Sequence, residues 1–249
     1  MLLKRNFWAS IIALSFFISG SASAEALVED FQVWGNITAQ GSFAKITNNP
    51  DHSKFRFWLE GQGRFGDNAS RFSNAIVRPG LGYAVTDKMT VWLGYAWVPT
   101  SEPFASARVG QYDEHRIWQQ AMWADNTPLG RLTLRSRFEQ RFFDAAMAGH
   151  NDVGHRFRQL IKLAVPMPFI HPNISYIVQD EIFVNLTDTN RGIYNGYDQN
   201  RFFTGLAYKI NQYATTEIGY MNLHFNRPHS PRPDQMFHIL GVNLLINYQ

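Results

Sequence analysis

Cysteine is absent from all 249 residues. No disulfide, thiolate metal centre or cysteine nucleophile can form, and no lipid can be attached through an N-terminal cysteine. Charge is also scarce: Asp, Glu, Lys and Arg make up 17% of the chain, against 45% hydrophobic and 15% aromatic residues. Beyond the N-terminal segment no stretch reaches the roughly 18 consecutive apolar residues of a membrane-crossing helix, and the mean hydropathy is only −0.26. A basic run is missing as well. The formal charge of +3 includes Lys4 and Arg5; without them 21 basic residues stand against 20 acidic ones. The sequence pI of 9.2 therefore gives no case for a nucleic-acid partner.

What is present begins with an export signal. Lys4 and Arg5 precede an apolar run from Phe7 to Ile18, and Ala22-Ser23-Ala24 supplies a small-residue cleavage site before Glu25. Residues 1–24 read as a cleaved secretory signal peptide, leaving 25–249 as one domain.

In the mature chain the dominant pattern is alternation, the signature of strands. In 54–65, Phe55, Phe57, Leu59 and Phe65 share one face, while Arg56, Trp58, Glu60, Gln62 and Arg64 share the other. In 131–142, Leu132, Leu134, Phe138 and Phe142 alternate with Arg131, Thr133, Arg135, Arg137, Glu139 and Arg141. Further strands are expected at 74–85, 89–98, 113–124, 154–165, 174–184, 201–210, 213–224 and 236–248. Most are long enough to cross a hydrocarbon layer at a tilt, which takes about 9–11 residues, against about 5–6 for strands of soluble domains. Short turns at Thr86-Asp87-Lys88, 125–130, 166–172 and Asn211-Gln212 alternate with longer polar segments near 99–112, 143–153, 185–200 and 226–235. Short turns at one end and long loops at the other are the outer-membrane pattern, with the short turns in the periplasm. Aromatic residues such as Tyr95, Trp97, Trp123, Tyr176, Tyr208, Tyr220 and Tyr248 suit interfacial girdles, whereas Trp92 and Trp118 fall on the interior face.

The resulting expectation is an all-β fold, a closed antiparallel transmembrane β-barrel of about ten to twelve strands. The segment 31–43 also alternates and makes an eleventh strand. Since bacterial barrels are normally even, it is expected inside or beside a ten-stranded barrel, or as part of a twelve-stranded one. A soluble periplasmic sandwich is a competing reading; it needs a second sheet over Phe55-Phe57-Leu59 and Leu132-Leu134.

The polar faces carry the informative chemistry. Symmetric pairing of the strands around 125–130 sets Arg116 opposite Glu139 and Glu114 opposite Arg141. Folding the next strands back sets Arg158 against Glu139, Arg156 near Arg141 and Glu181 against Arg158, with Glu60 near Arg78. This reads as an interior lattice of opposite charges in a narrow lumen, because an unpaired charge there is costly. The rival reading is a selectivity lining for an anionic solute, since arginine outnumbers glutamate.

Catalytic signals are weak. A lipid hydrolase needs serine, histidine and an acidic or amide group in contact, but Ser136, His115 and His155 lie apart along their strands, and no G-x-S-x-G motif occurs. The eight histidines show no H-x-x-x-H or H-E-x-x-H spacing. His224, His229 and His238 flank a loop with Asp234, and Asn185, Asp188 and Asp198 do not follow calcium-loop spacing. Gly80 and Gly82 are strand glycines rather than a phosphate cradle. No cofactor or metal is implied.

Trp34-Gly35-Asn36, Arg78-Pro79-Gly80-Leu81-Gly82-Tyr83, Leu93-Gly94-Tyr95 and Glu114-His115-Arg116-Ile117-Trp118-Gln119-Gln120 begin an ordered series. It continues through Arg135-Ser136-Arg137-Phe138-Glu139-Gln140-Arg141, Asp180-Glu181-Ile182-Phe183-Val184-Asn185, Arg201-Phe202 and Ile218-Gly219-Tyr220. The series resembles a bacterial family of outer-membrane proteins catalogued only as a domain of unknown function. The resemblance implies a barrel in a Gram-negative outer membrane and no particular activity. The expected function is a narrow channel or structural barrel, with a lipid-modifying hydrolase as alternative. Its expected partners are outer-membrane lipid and the barrel-assembly machinery, which reads terminal strands such as 236–249, here ending in Gln249 one place after the aromatic Tyr248.

Overall fold

The structure, a computed structural model, describes residues 27–101, 111–144, 153–189, 193–227 and 233–248. The segment read as a signal peptide lies outside these residues. Eleven strands form one closed sheet. They are β1 (Val28–Ser42), β2 (Phe55–Gly66), β3 (Arg71–Ala84), β4 (Met89–Thr100), β5 (Tyr112–Thr127), β6 (Gly130–Phe143), β7 (Val153–Pro166), β8 (Ile174–Asn185), β9 (Gly196–Lys209), β10 (Ala214–Phe225) and β11 (Gln235–Tyr248). Their lengths run from 12 to 16 residues. The ten expected strands correspond to β2 through β11, and the alternating 31–43 segment is β1.

The expected antiparallel pattern and even strand number are corrected at one seam. β1 lies in the wall between β2 and β11, and it pairs with β11 in parallel from Val28↔Gln235 to Gly41↔Tyr248. It is neither a plug inside ten strands nor half of an extra hairpin. The reason is geometric: an up-and-down sheet that closes with an odd number of strands brings its first and last strands together in the same direction. All other neighbours are antiparallel.

β1 is tied down at both ends. At its start, the Asp30 carboxylate accepts from the backbone N–H of Asp67 (3.1 Å) and Asn68 (2.9 Å) in the β2–β3 turn. Asp67, Asn68 and Ala69 in that turn are all left-handed, with φ of 54°, 55° and 61°, and the two hydrogen bonds offset part of that strain. At its end, the Ser42 side chain accepts from the Ala44 N–H and caps the short helix α1 (Phe43–Thr47). A single 3-10 turn, Pro50–His52, capped by Asn49, leads on to β2.

The burial pattern is inverted relative to a soluble domain. Arg137 is 1% exposed and Glu139 0%, whereas Leu81 is 65% and Leu93 58% exposed. Leu59 and Phe55 are exposed too, and no second sheet covers them among the described residues. The sandwich reading therefore lacks its partner layer. The outward row of β11 runs through His238, Leu240, Val242, Leu244 and Ile246, in step with Asn222, Tyr220, Ile218, Thr216 and Ala214 of β10, and ends in the exposed Tyr248.

Candidate functional site: the barrel lumen

Inward positions recur every second residue, so the charged residues of neighbouring strands meet in the lumen. Glu60 of β2 faces Arg78 of β3 in register, and their side chains pair at 2.6 Å. Glu114 of β5 accepts from Arg116 (2.8 Å) and from Arg141 of β6 (2.5 Å). Glu139 of β6 accepts from Arg156 (2.7 Å) and Arg158 (2.8 Å) of β7. Arg158 also reaches Glu181 of β8 (2.8 Å), which takes Arg135 of β6 as well (2.8 Å). Every member of the expected charge set is thus inside the lumen, in two groups plus the Glu60–Arg78 pair.

The register beneath these contacts corrects the expected one. Arg116 faces Arg141, not Glu139, and Glu139 faces Trp118. Glu139 lies opposite Arg156, and Arg158 opposite Phe183. Each pairing is displaced by two residues. β5 and β6 turn at Pro128-Leu129, one residue later than the centre assumed for 125–130. A two-residue slip keeps every side chain on its face, whereas a one-residue slip would reverse it. Arginine is long enough to reach diagonally, so Glu114–Arg141, Arg158–Glu139 and Arg158–Glu181 form anyway. The Arg116–Glu139 ion pair does not form; Arg116 turns to Glu114 on its own strand. Arg156, expected near Arg141, pairs with Glu139 and with Asp198 of β9 (3.4 Å).

The expected charge set left out several lumen residues. Arg137 donates twice to Gln120 (2.9 and 2.6 Å) and lies over the rings of Trp118 (4.9 Å) and Trp58 (6.0 Å). Asp198, Arg201 and the Lys162–Glu217 pair (2.5 Å) were also outside the expected set. Alternation had already put Arg135 and Arg137 on the polar face with Glu139, but gave them no partner. Nothing local marks Asp198, which lies beyond a register shift at Phe183/Val184.

Tryptophans fill the lumen beside the charges. Trp58, Trp92 and Trp118 pack edge to face, with centroids 5.4 Å (58–92) and 6.3 Å (58–118) apart, against Ile76, Ala96 and Val98. Gly80 and Gly94 make this possible: a Cβ at Gly80 would lie 2.5 Å from the Trp118 ring, and one at Gly94 would meet the same ring as closely. These strand glycines are floors for an indole. Trp118 donates its N–H to the Tyr95 carbonyl (3.0 Å), and Trp58 to Glu60 (3.1 Å). Towards the short-turn rim the filling stops. A cavity of about 480 Å³ remains, bordered by Trp34, Met122, Ala124, Arg131, Thr133 and Ala164, and reaching the turn residues Gln212 and Tyr213.

The hydrolase candidates stay apart. Ser136 donates to Gln159 (2.6 Å). His115 stacks on Tyr95 and faces Phe142, while His155 stacks on Phe138 and faces Gln140. Among the described residues no serine is hydrogen-bonded to a histidine side chain, and no His/Asp/Glu group could hold a metal ion. His224 pairs with Asp234 (3.2 Å), His238 bonds Tyr220 (2.6 Å), and His229 lies outside the described residues.

Closure, an odd strand number and a lumen filled by ion pairs and indoles define a class: small β-barrels with a packed interior. Within it, the chain belongs to the family described as "Protein of unknown function (DUF2490)", which it matches over residues 31–234. It is 31% identical over 239 residues to an uncharacterized protein of Methylorubrum extorquens, covering 96% of each chain. No solved structure matches it.

Proposed function

We propose that the protein is an integral barrel of a Gram-negative outer membrane, exported by its N-terminal signal, with a lumen occluded at mid-height. The observation that carries the reading is the exposed apolar belt around a charged interior. Ile37, Leu59 and Leu81 are 55%, 56% and 65% exposed, while Glu139 is fully buried. An apolar surface of this extent in water invites aggregation, whereas in lipid it is the stable arrangement. Exposed rings support it at both rims: Phe65, Phe72, Trp97, Phe142 and Tyr197 towards the long loops, and Tyr83, Tyr176, Tyr208, Tyr213 and Tyr248 towards the short turns. Lipid is then the surrounding partner, and the outward row of β11 is the segment offered to the assembly machinery.

The packed lumen favours a non-conducting structural barrel over a narrow channel. Refolded protein in planar bilayers is expected to be silent; stable openings of the wild type would overturn the occluded reading. Orientation is testable because the chain lacks cysteine. β1 starts at the long-loop rim, so Val28 lies at the opposite end from the β3–β4 turn. With short turns in the periplasm, Val28→Cys is expected to react with an impermeant maleimide on intact cells, and Asp87→Cys only after permeabilisation. The reverse pattern would invert the barrel.

A further inference from the structure

The ion pairs do not neutralise the lumen everywhere. The cavity at the short-turn end is bordered by six cations, Arg78, Arg131, Arg135, Arg158, Lys162 and Arg201, and by three carboxylates, Glu60, Glu181 and Glu217. Each carboxylate is already engaged: Glu60 by Arg78, Glu217 by Lys162, and Glu181 by both Arg158 and Arg135.

Two cations are left over, Arg131 and Arg201; Arg131 is exposed at the rim, whereas Arg201 is half-buried within the wall. Arg201 faces Glu181 across the β8–β9 ladder, yet it makes no ion pair among the described residues. It donates to the neutral Gln199 amide (3.2 and 3.0 Å) and lies over the rings of Phe183 (4.4 Å) and Trp34 (5.2 Å). Arg64 lies over the same Trp34 at 3.8 Å and donates to the neutral Gln62 (2.9 Å). The Nε atoms of Arg78 and Arg135 are buried with no hydrogen-bond partner. Arg135 and Arg158 therefore share Glu181, Arg158 reaching Glu139 as well, while Arg201 faces the same Glu181 without pairing to it, beside a cavity of about 480 Å³. Enclosed cations without counter-charge are costly, and fixed guanidinium forks match the oxygens of phosphate and carboxylate groups.

We propose that this vestibule binds a small, multiply charged oxyanion, with Arg201 as principal donor, Arg135 and Arg158 completing the charge, and Trp34 as a wall. The volume falls within the usual range for small-molecule sites of about 300–1,000 Å³. The ligand is a soluble phosphate- or carboxylate-bearing solute. The wall is a closed ring of eleven strands, so a bilayer lipid has no lateral entry, and access runs past Gln212 and Tyr213 at the rim.

The inference rests on the occluded barrel of the preceding section but not on its membrane. Binding is measured on the refolded full chain in uncharged detergent micelles, and conductance in bilayers, so the two readings fail separately. Pyrophosphate is titrated at fixed ionic strength, with Trp fluorescence and thermal midpoint as readouts. Saturable quenching and a raised midpoint are expected, with chloride inactive. Arg201→Gln is expected to weaken pyrophosphate binding by about tenfold or more, the loss of a charge-assisted contact, while Arg201→Lys restores part of it. Lys88→Gln, in the exposed β3–β4 turn, is expected to change nothing. Heat-modifiable gel mobility checks that each variant is folded. If Arg201→Gln does not fold, the wild-type and Arg201→Lys titrations decide. No saturable response in the wild type, or equal affinity in folded Arg201→Gln, overturns the site; displacement of pyrophosphate by phosphatidylglycerol overturns the soluble-solute assignment.

Discussion

The middle of the lumen and its short-turn end are built on the same eleven strands with the same alternation, yet one is filled and the other hollow. In the filled part the inward positions carry Trp118, Arg137, Glu139, Arg156 and Arg158, with Gly80 and Gly94 giving the Trp118 ring room, and Trp58 and Trp92 continue the filling down the β2–β4 side towards the short turns. In the hollow part they carry Ala124, Thr133, Ala164, Thr215 and Asn243. Strand number sets the diameter of a barrel; the size of the inward side chains decides whether that diameter is filled. The charge follows the same division. Glu139 is shared between two arginines with no access to solvent, whereas Lys162 and Glu217 meet at the edge of open space.

The largest effect should come from breaking the filled part. Glu139→Ala leaves Arg156 and Arg158 without their common acceptor in a site that water does not reach. Removing one partner of a buried ion pair costs about 3–5 kcal/mol. Glu217→Ala removes the acceptor of a lysine beside a cavity polar and roomy enough for water, so its cost should be about 1 kcal/mol. Urea unfolding in micelles separates the two. Equal losses would mean that the two parts of the lumen are solvated alike.

The strands, their faces and most of the charge set were legible from residue pattern because a period of two survives errors in register. Glu114 and Arg141 were expected opposite each other and are in contact, although their strands are displaced by two residues. The displacement was not legible because it depends on where a chain turns. Pro128 and Leu129 form the turn inside a stretch that offered several centres. The parallel seam was hidden for another reason. Alternation looks the same in parallel and antiparallel strands, and no turn joins Val28–Ser42 to Gln235–Tyr248. The vestibule was hidden as well, because an empty volume depends on residues from nearly every strand at once. Arg201 shows this: it faces Glu181 in register, and its charge goes unpaired only because Arg135 and Arg158, from two other strands, take that carboxylate.

Volume provides the next test. A Cβ on Gly94 would press on the Trp118 ring and sit 2.5 Å from the Pro79 carbonyl, so Gly94→Ala should destabilise the barrel by about 1–3 kcal/mol, the usual cost of overpacking. Ala124→Leu adds more atoms, but into the cavity, and should change stability by less than about 1 kcal/mol. Thermal midpoints of the two variants should therefore order opposite to the volume added. If Ala124→Leu is the worse of the two, the short-turn end is packed, and the proposed oxyanion site has no room.

Salt sharpens the comparison at its smallest scale. A double-mutant cycle isolates the coupling of Lys162 with Glu217, and a second isolates Arg158 with Glu139. Side chains bordering the vestibule are open to counterions that arrive with solvent, and at about 1 M salt the screening length falls to roughly 3 Å. The Lys162–Glu217 coupling should then lose most of its value between low and high salt. The Arg158–Glu139 coupling should lose far less, because Glu139 is fully enclosed even though Arg158 borders the cavity on its other side. Loss of both couplings in salt would place solvent throughout the lumen, and with it a continuous path between the rims. Loss of the first alone locates the boundary of the occlusion between Glu181, whose two arginines lie in the lattice, and Lys162, which stands nearer the short-turn rim on the neighbouring strand.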